Sequence, residues 1–339
     1  MKEKVLGSLI GAATGDAMGA ATEMRTTQQI IERFGGPITT FVKPPSDVFA
    51  RGNQPGEVTD DFSMAYLTCL EMLNTGFEDY DKAAKDALIV WSEDERYFEQ
   101  FVGPTSRAAI DRFKGKKTEA TKLDWLFADN SKATNGAAMK MSPISLFALG
   151  DVDKAIDIAV KIASVTHDNN LSVSAAAAVA AATNVALHEN VTLKQIVDAA
   201  IYGAVKGDEI GRKNYKTLAG PSIVKRVKLA ISIAINSKTK EEAMQELSDV
   251  IGNSAMAYET LPIAIGIIVA CDGELMDSII MAVNIGYDTD SIATIVGGIL
   301  GAYHGASRFP DDYLDIINKV NKYDLEKLSE LIVEGGKYD

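Results

Sequence analysis

Residues 59–73 read Thr-Asp-Asp-Phe-Ser-Met-Ala-Tyr-Leu-Thr-Cys-Leu-Glu-Met-Leu. Phe62, Ala65, Tyr66, Cys69, Leu70 and Leu73 fall at i, i+3, i+4, i+7, i+8 and i+11, an apolar stripe that a 3.6-residue helix places on one face. The same offsets return at Ile292, Ile295, Val296, Ile299, Leu300 and Tyr303, and a shorter stripe runs through Val5, Leu6, Leu9, Ile10 and Ala13. Further helical stretches are predicted over 79–91, 105–113, 151–164, 171–187, 192–205, 222–236, 240–250, 254–270, 274–284 and 311–334. Strict alternation of apolar and polar residues is nearly absent, as are Asn-Gly or Asp-Gly hairpin signals between such runs. The predicted fold class is all-α.

Working outward, no Ser/Gly-rich or charge-run linker divides the 339 residues, and no internal repeat stands out, so one domain over 1–339 is expected. One segment lacks any period: Pro37 to Glu57, with Pro44, Pro45 and Pro55 and with Gly52 and Gly56. A structureless loop this long inside a domain is usually functional or disordered; its place just before the Phe62 stripe favours a flexible lid over about 37–57, with a surface excursion as the alternative. Gly11, Gly15 and Gly19 recur at helical spacing and are expected to let a second helix approach closely.

With 34 Lys+Arg against 47 Asp+Glu the net charge is −13, which argues against nucleic-acid or anionic-membrane partners. The longest uncharged apolar runs, Leu261–Cys271 and Ser174–Leu187, fall short of a membrane span. Lys2 and Lys4 before an apolar Val5–Ala13 imitate a signal peptide, but Glu3 and Asp16 spoil the pattern. With only Cys69 and Cys271, and no disulfide framework, a cytoplasmic location is expected. GxGxxG, GxxxxGK[ST], HExxH and CxxC are all missing, which leaves the two common phosphate loops and the common zinc sites unsupported. Of three histidines, His188 and His304 read as structural.

Two acidic motifs remain, each leading a helix: Thr59-Asp60-Asp61 and Asp288-Thr289-Asp290-Ser291. Either alone reads as helix capping. Together they place four carboxylates at the starts of two helices apolar enough to be buried, where the charges would repel unless cations neutralise them. All the donors are hard oxygens, which suits Mg²⁺ or Mn²⁺ better than Zn²⁺. Two divalent cations ~4 Å apart would balance such a cluster.

At these residues the chain resembles the ADP-ribosylglycohydrolase family. Gly15-Asp16-Ala17-Met18-Gly19 with Glu23, Thr59-Asp60-Asp61, Thr134 to Met139, Thr166-His167 and Gly286-Tyr287-Asp288-Thr289-Asp290-Ser291 match the family's motifs in order, over about residues 5–305. The residue after the Asp pair departs from the pattern, being Phe62 with Ser63 next, and the closing hydroxyl is Ser291 in place of Thr. The resemblance implies an orthogonal multi-helix bundle and a binuclear Mg²⁺ or Mn²⁺ site ligated by Thr59, Asp60, Asp61, Asp288, Asp290 and Ser291. Asp16 would orient a ligand or a backbone turn. Glu23 would approach the cations as an acid or a gate, with Asp60 or Asp61 the general base. The implied reaction cleaves the ribosyl C1 bond of an ADP-ribosylated protein or small molecule.

For the diphosphate, the Ser131 to Gly136 turn, including Thr134 and Asn135, could form an anion-binding nest of backbone N–H groups or be a plain helix-entry loop. His167 would lie near the nucleotide or cap a helix. A hydrolase of nucleosides or other N-glycosides, and a non-catalytic crystallin-like member, are the competing readings.

Overall fold

The computed structural model describes residues 1–77, 79–116 and 129–335. Its α-helices are α1 (Lys2–Gly19), α2 (Thr27–Phe34), α3 (Asp60–Asn74), α4 (Tyr80–Trp91), α5 (Glu95–Phe101), α6 (Pro104–Phe113), α7 (Met141–Ser145), α8 (Val152–Ser164), α9 (Asn170–Ala186), α10 (Leu193–Asn214), α11 (Ile223–Asn236), α12 (Lys240–Glu246), α13 (Ala257–Ala270), α14 (Leu275–Asn284), α15 (Thr289–His304), α16 (Tyr313–Asn321) and α17 (Leu325–Glu334). Two isolated bridges, Thr134 with Met256 and Asn169 with Lys216, are the only β pairing among the described residues. The fold is all-α, and no helix among those residues is long and apolar enough to cross a membrane.

The architecture is set by α1 lying antiparallel against α15. At Gly7, Gly11 and Gly15 a Cβ would come within 2.0–2.3 Å of the carbonyl oxygens of Gly301, Gly297 and Ala293, and at Gly19 within 2.5 Å of Asp290 Cα. Backbone therefore meets backbone along the whole seam. That contact is what brings the end of α1 to the start of α15. Gly11→Ala gains about 1 kcal/mol of helix propensity. It also forces an overpacking of up to about 3 kcal/mol, so a net loss of about 2 kcal/mol is expected. Denaturant titration would record it as a lower midpoint at unchanged slope.

The Ala-rich α9 is buried on nearly every side, because its short side chains let α8, α10 and α15 pack around it. Three departures from the expected helices have local causes. The stretch 311–334 breaks at Lys322 (φ 58°), where the chain turns and Asp324 caps α17 by accepting the Lys327 N–H. The helix expected over 192–205 continues to Asn214. The stretch expected over 240–250 leaves the α-helix after Glu246 and continues as a π-helix over Leu247–Ile251. Two short helices, α2 and α5, lie where no stripe was legible, because each buries a single residue, Ile30 and Tyr97 respectively.

Residues 37–57 form no helix, yet several points hold them to the body. The Ile38 backbone N–H and C=O pair with the Asn284 side-chain amide at 2.8 Å each. Phe41 packs on Tyr313 with centroids 4.4 Å apart, and Val48 and Ala50 bury against Ala20. Gly56 abuts Ile316, whose Cγ2 would lie 2.4 Å from an added Cβ. The exposed large apolar side chain of this segment is Phe49, 45% accessible, which lines the cavity described next. His188 and His304 each hydrogen-bond a backbone carbonyl, of Gly150 at 2.9 Å and Gly273 at 2.7 Å.

Candidate metal centre

Three helix ends meet at one cavity of about 400 Å³. After Gly19 the chain turns and buries Glu23. The next residue, Met24, and Tyr287 both adopt left-handed backbone (φ 62° and 60°). Their segments are tied together, Met24 N–H donating to Tyr287 O and Tyr287 N–H to Arg25 O at 2.8 Å each. This clamp sets Glu23 beside Asp288, the N-cap residue of α15. One carboxylate oxygen from each of Glu23, Asp288 and Asp290 lies within 4.8 Å of the others. Asp60 and Asp61 line the same cavity from the start of α3 but stand outside that group.

The start of α3 is held by a carboxylate from another helix. Both oxygens of the buried Asp16 accept the Thr59 N–H (2.9 and 3.0 Å), and Oδ2 also accepts the Phe62 N–H at 2.9 Å. Asp16 therefore anchors the first turn, leaving Asp60 and Asp61 to face the cavity. The Thr59 hydroxyl accepts the Asp61 N–H at 3.4 Å and lies 3.5 Å from Asp61 Oδ2, so Thr59 sits beneath the cavity wall. Asp61 Oδ1 is buried with no hydrogen-bond partner. A buried, orphaned carboxylate oxygen carries a desolvation cost that a cation or a proton must offset. Ser291 Oγ faces Met139 Sδ at 3.9 Å, and its N–H bonds Asp290 Oδ1 at 3.0 Å.

Burial pushes every carboxylate of the cluster up. Asp16 rises to about 7, through burial and then the Asp290 charge, opposed by the Phe62 and Thr59 N–H groups. Glu23, Asp60, Asp61 and Asp288 are driven well above the usual range by burial first and Asp290 second. Asp290 is itself raised by burial. Lys140, buried at the N-cap of α7, is the one cation among these groups. Burial lowers it to about 8 while the Asp60 charge pulls it upward. One ammonium against six carboxylates leaves a strong deficit of positive charge, and hard-oxygen donors with an orphaned oxygen fit divalent cations.

A pH dependence follows. An acid whose folded pKa exceeds its unfolded pKa destabilises the fold as pH rises through that window. For Asp16 the window runs from its ordinary 3.8 to about 7. Chelated protein is therefore expected to gain on the order of 2 kcal/mol from Asp16 alone between about pH 7.5 and 5.5. Excess Mn²⁺ should reverse the trend, because ligands must deprotonate to bind. Melting curves at the two pH values, with and without chelator, check both signs.

The opposite wall comes from 134–139 and His167. Thr134 Oγ1 and Thr166 Oγ1 bond the two ring nitrogens of His167, Nε2 at 2.8 Å and Nδ1 at 2.7 Å. Burial, then the Lys140 charge, lowers His167 to about 3, so the ring is neutral. Gly136 makes room for it, since a Cβ there would come within 2.9 Å of His167 Cε1. Asn135 lines the cavity, but its amide donates to Asp288 Oδ2 at 2.5 Å and Thr260 Oγ1 at 2.9 Å, fixing the carboxylate.

Much of the Ser131 to Gly136 turn is engaged in hydrogen bonds of its own. Ser131 is exposed, and its N–H and hydroxyl both bond Asp129. The N–H groups of Lys132, Ala133 and Asn135 are spent on the carbonyls of Asp129, Asn130 and Ala255. Four of the six N–H groups of the turn are thus engaged within the fold. Sequence reasoning missed two parts of the site. Lys140 was legible only as the lone charge in an otherwise uncharged Thr134–Gly150. The segment 100–106, with Phe101 and Pro104, forms the rim.

Comparison with known proteins points in one direction. The family model described as ADP-ribosylglycohydrolase matches residues 1–338. The uncharacterized protein YegU of Escherichia coli (strain K12) is 28% identical over 335 residues, covering 98% of this chain and 97% of the relative. ADP-ribosylhydrolase ARH3 of Homo sapiens is 25% identical (91% of this chain, 87% of the relative). ADP-ribosylarginine hydrolase Tri1 of Pseudomonas putida (strain GB-1) is 26% identical (92% and 74%). A solved structure titled ADP-ribosylglycohydrolase-related protein complex shares the fold, with a TM-score of 0.59 at 20% identity and 98% coverage of both chains.

Proposed function

The chain belongs to the ADP-ribosylglycohydrolase family, a family of hydrolases, and from that premise and the geometry above we propose that it hydrolyses the ribosyl C1 bond of an ADP-ribosylated protein or small molecule with two divalent cations, Mg²⁺ or Mn²⁺. The observation that carries this reading is the approach of Glu23, Asp288 and Asp290 within 4.8 Å, in a buried cavity that Asp60 and Asp61 also face. Asp60, Asp61, Asp288, Asp290 and Ser291 would hold the cations, with Thr59 supporting Asp61. When bound, the cations would supply charge neutralisation, a grip on vicinal ribose hydroxyls and a lower pKa for water.

The chain's own groups account for the rest. Cleavage at C1 passes through an oxocarbenium-like state, so the water that adds must lose a proton and the leaving group must gain one. An oxygen of Asp60 or Asp61 not engaged by a cation takes the first proton. Glu23, whose carboxyl burial and then the Asp290 charge hold well above the ordinary range, is the acid placed to give the leaving atom a proton. Asn135 keeps Asp288 in place, and neutral His167 with Thr134 walls the sugar side without adding charge. Phe49 and Phe101 give the cavity an apolar side.

A release assay tests this on arginine-linked and serine-linked ADP-ribosyl peptides and on a free nucleoside. ADP-ribose should be released from at least one ADP-ribosyl substrate with Mn²⁺ or Mg²⁺ and lost on chelation. Release unaffected by chelator, or cleavage of the nucleoside alone, contradicts the proposal.

A further inference from the structure

A different face of α3, carrying Ser63 and Tyr66, lines a second cavity of about 530 Å³, larger than the one at the acidic cluster. Its walls are aromatic. Tyr66 and Tyr323 stack with centroids 4.0 Å apart, and Trp91 lies 6.2 Å from Tyr97. Two cations stand at its edge. The Arg96 guanidinium lies 4.3 Å from the Tyr97 centroid and pairs with Glu57. Lys322 is exposed, has no ion-pair partner among the described residues, and sits in left-handed backbone (φ 58°), a position where helices usually place glycine. The nearby Asp94 is occupied in capping α5 through the Arg96 N–H at 3.0 Å.

The same walls grip the segment that delivers Asp60 and Asp61. Asn321, at the cavity edge, accepts the Val58 N–H at 3.0 Å and donates to Gly56 O at 2.9 Å. Between those residues Glu57 is held by Arg96. Three consecutive residues immediately before Thr59 are thus fixed by side chains of this cavity.

We infer that the cavity between α3, α5 and the α16–α17 turn is a regulatory binding site for a nucleoside monophosphate, whose occupancy steadies Gly56–Val58 and so the positions of Asp60 and Asp61. A flat base suits the tyrosine and tryptophan walls. A phosphate suits Arg96, whose outer N–H groups remain available, and the unpaired Lys322. The volume is within the range of small-molecule sites. The binding stands alone, whereas its effect on cation affinity rests on the reading of Asp60 and Asp61 as cation ligands.

The test uses the full chain with Trp125→Phe, which leaves Trp91 as the sole tryptophan, and adenosine 5′-monophosphate as probe. Saturable quenching of Trp91 is expected. Lys322→Gly relieves the backbone constraint and should fold at least as well, yet it should weaken the probe about tenfold, as should Arg96→Ala. Asp290→Ala should leave the quenching intact. Occupancy should tighten Mn²⁺ binding about tenfold, with the reciprocal effect of Mn²⁺ on the probe. Three results overturn the site: no quenching, adenosine binding as tightly as its monophosphate, or loss of quenching in Asp290→Ala, which would place the probe at the acidic cluster. Quenching without any change in Mn²⁺ affinity overturns the regulatory coupling.

Discussion

Asp290→Asn is expected to abolish turnover and, in chelator, to make the protein more stable than the parent. The Asp290 charge is the leading electrostatic contribution, after burial, to the raised pKa values of Asp16, Glu23, Asp60, Asp61 and Asp288. Replacing it with an amide removes that shared repulsion, and the Asn oxygen still accepts the Ser291 N–H that Oδ1 takes at 3.0 Å. The same change removes a carboxylate from the closest acidic group in the cavity. Losing a direct ligand should cost more than the 10–100-fold typical of groups behind the ligands, so a fall in kcat/KM of about 10³-fold or more is expected. Steady-state kinetics and melting curves in chelator read the two effects separately. Activity within tenfold of the parent, or a lower melting temperature in chelator, would contradict the account.

Asp16→Asn should act at a distance. The parent carboxylate accepts N–H groups on both oxygens. An amide oxygen in the place of Oδ2 can still accept both N–H groups, but it lacks the carboxylate's charge, and the amide nitrogen in the place of Oδ1 sets an N–H against the Thr59 N–H 2.9 Å away. The first turn would loosen and Asp60 and Asp61 would lose their fixed aim, while the cavity keeps its other carboxylates. Mn²⁺ affinity is expected to fall about 100-fold, the upper end for groups that position ligands. Titration calorimetry checks this, with far-ultraviolet circular dichroism confirming the helices. Unchanged Mn²⁺ binding would mean that Asp16 serves the fold alone.

Much of this was legible in the sequence because the decisive elements announce themselves by period. The stripes at Phe62, Ile292 and Val5 became α3, α15 and α1, and the expected close approach at Gly11, Gly15 and Gly19 is the α1–α15 seam. The two acidic motifs could be flagged as carrying more charge than a cap requires. Their convergence could not be read, since it depends on a backbone contact between helices nearly 290 residues apart in sequence (Gly11 against Gly297). Nor could the division of labour within them. Asp288 draws on Asn135, and Thr289 spends its hydroxyl on Gly19 O at 2.9 Å, tying α15 to the end of α1. Lys140 escaped notice because a single lysine in an apolar stretch has no period, and only tertiary packing shows it buried beside an acidic cluster. The Ser131–Gly136 turn stayed open between nest and helix-entry loop because local sequence does not reveal that Thr134 pairs across to Met256.

Diffraction from crystals grown with Mn²⁺, recorded at a wavelength that reveals anomalous scattering, tests the central claim most directly. Two peaks are expected in the cavity, one within ~2.2 Å of an Asp290 oxygen and at least one within the same distance of Asp61 Oδ1. A cavity without anomalous density, with manganese bound only at surface carboxylates, would contradict a shared cation site between the starts of α3 and α15.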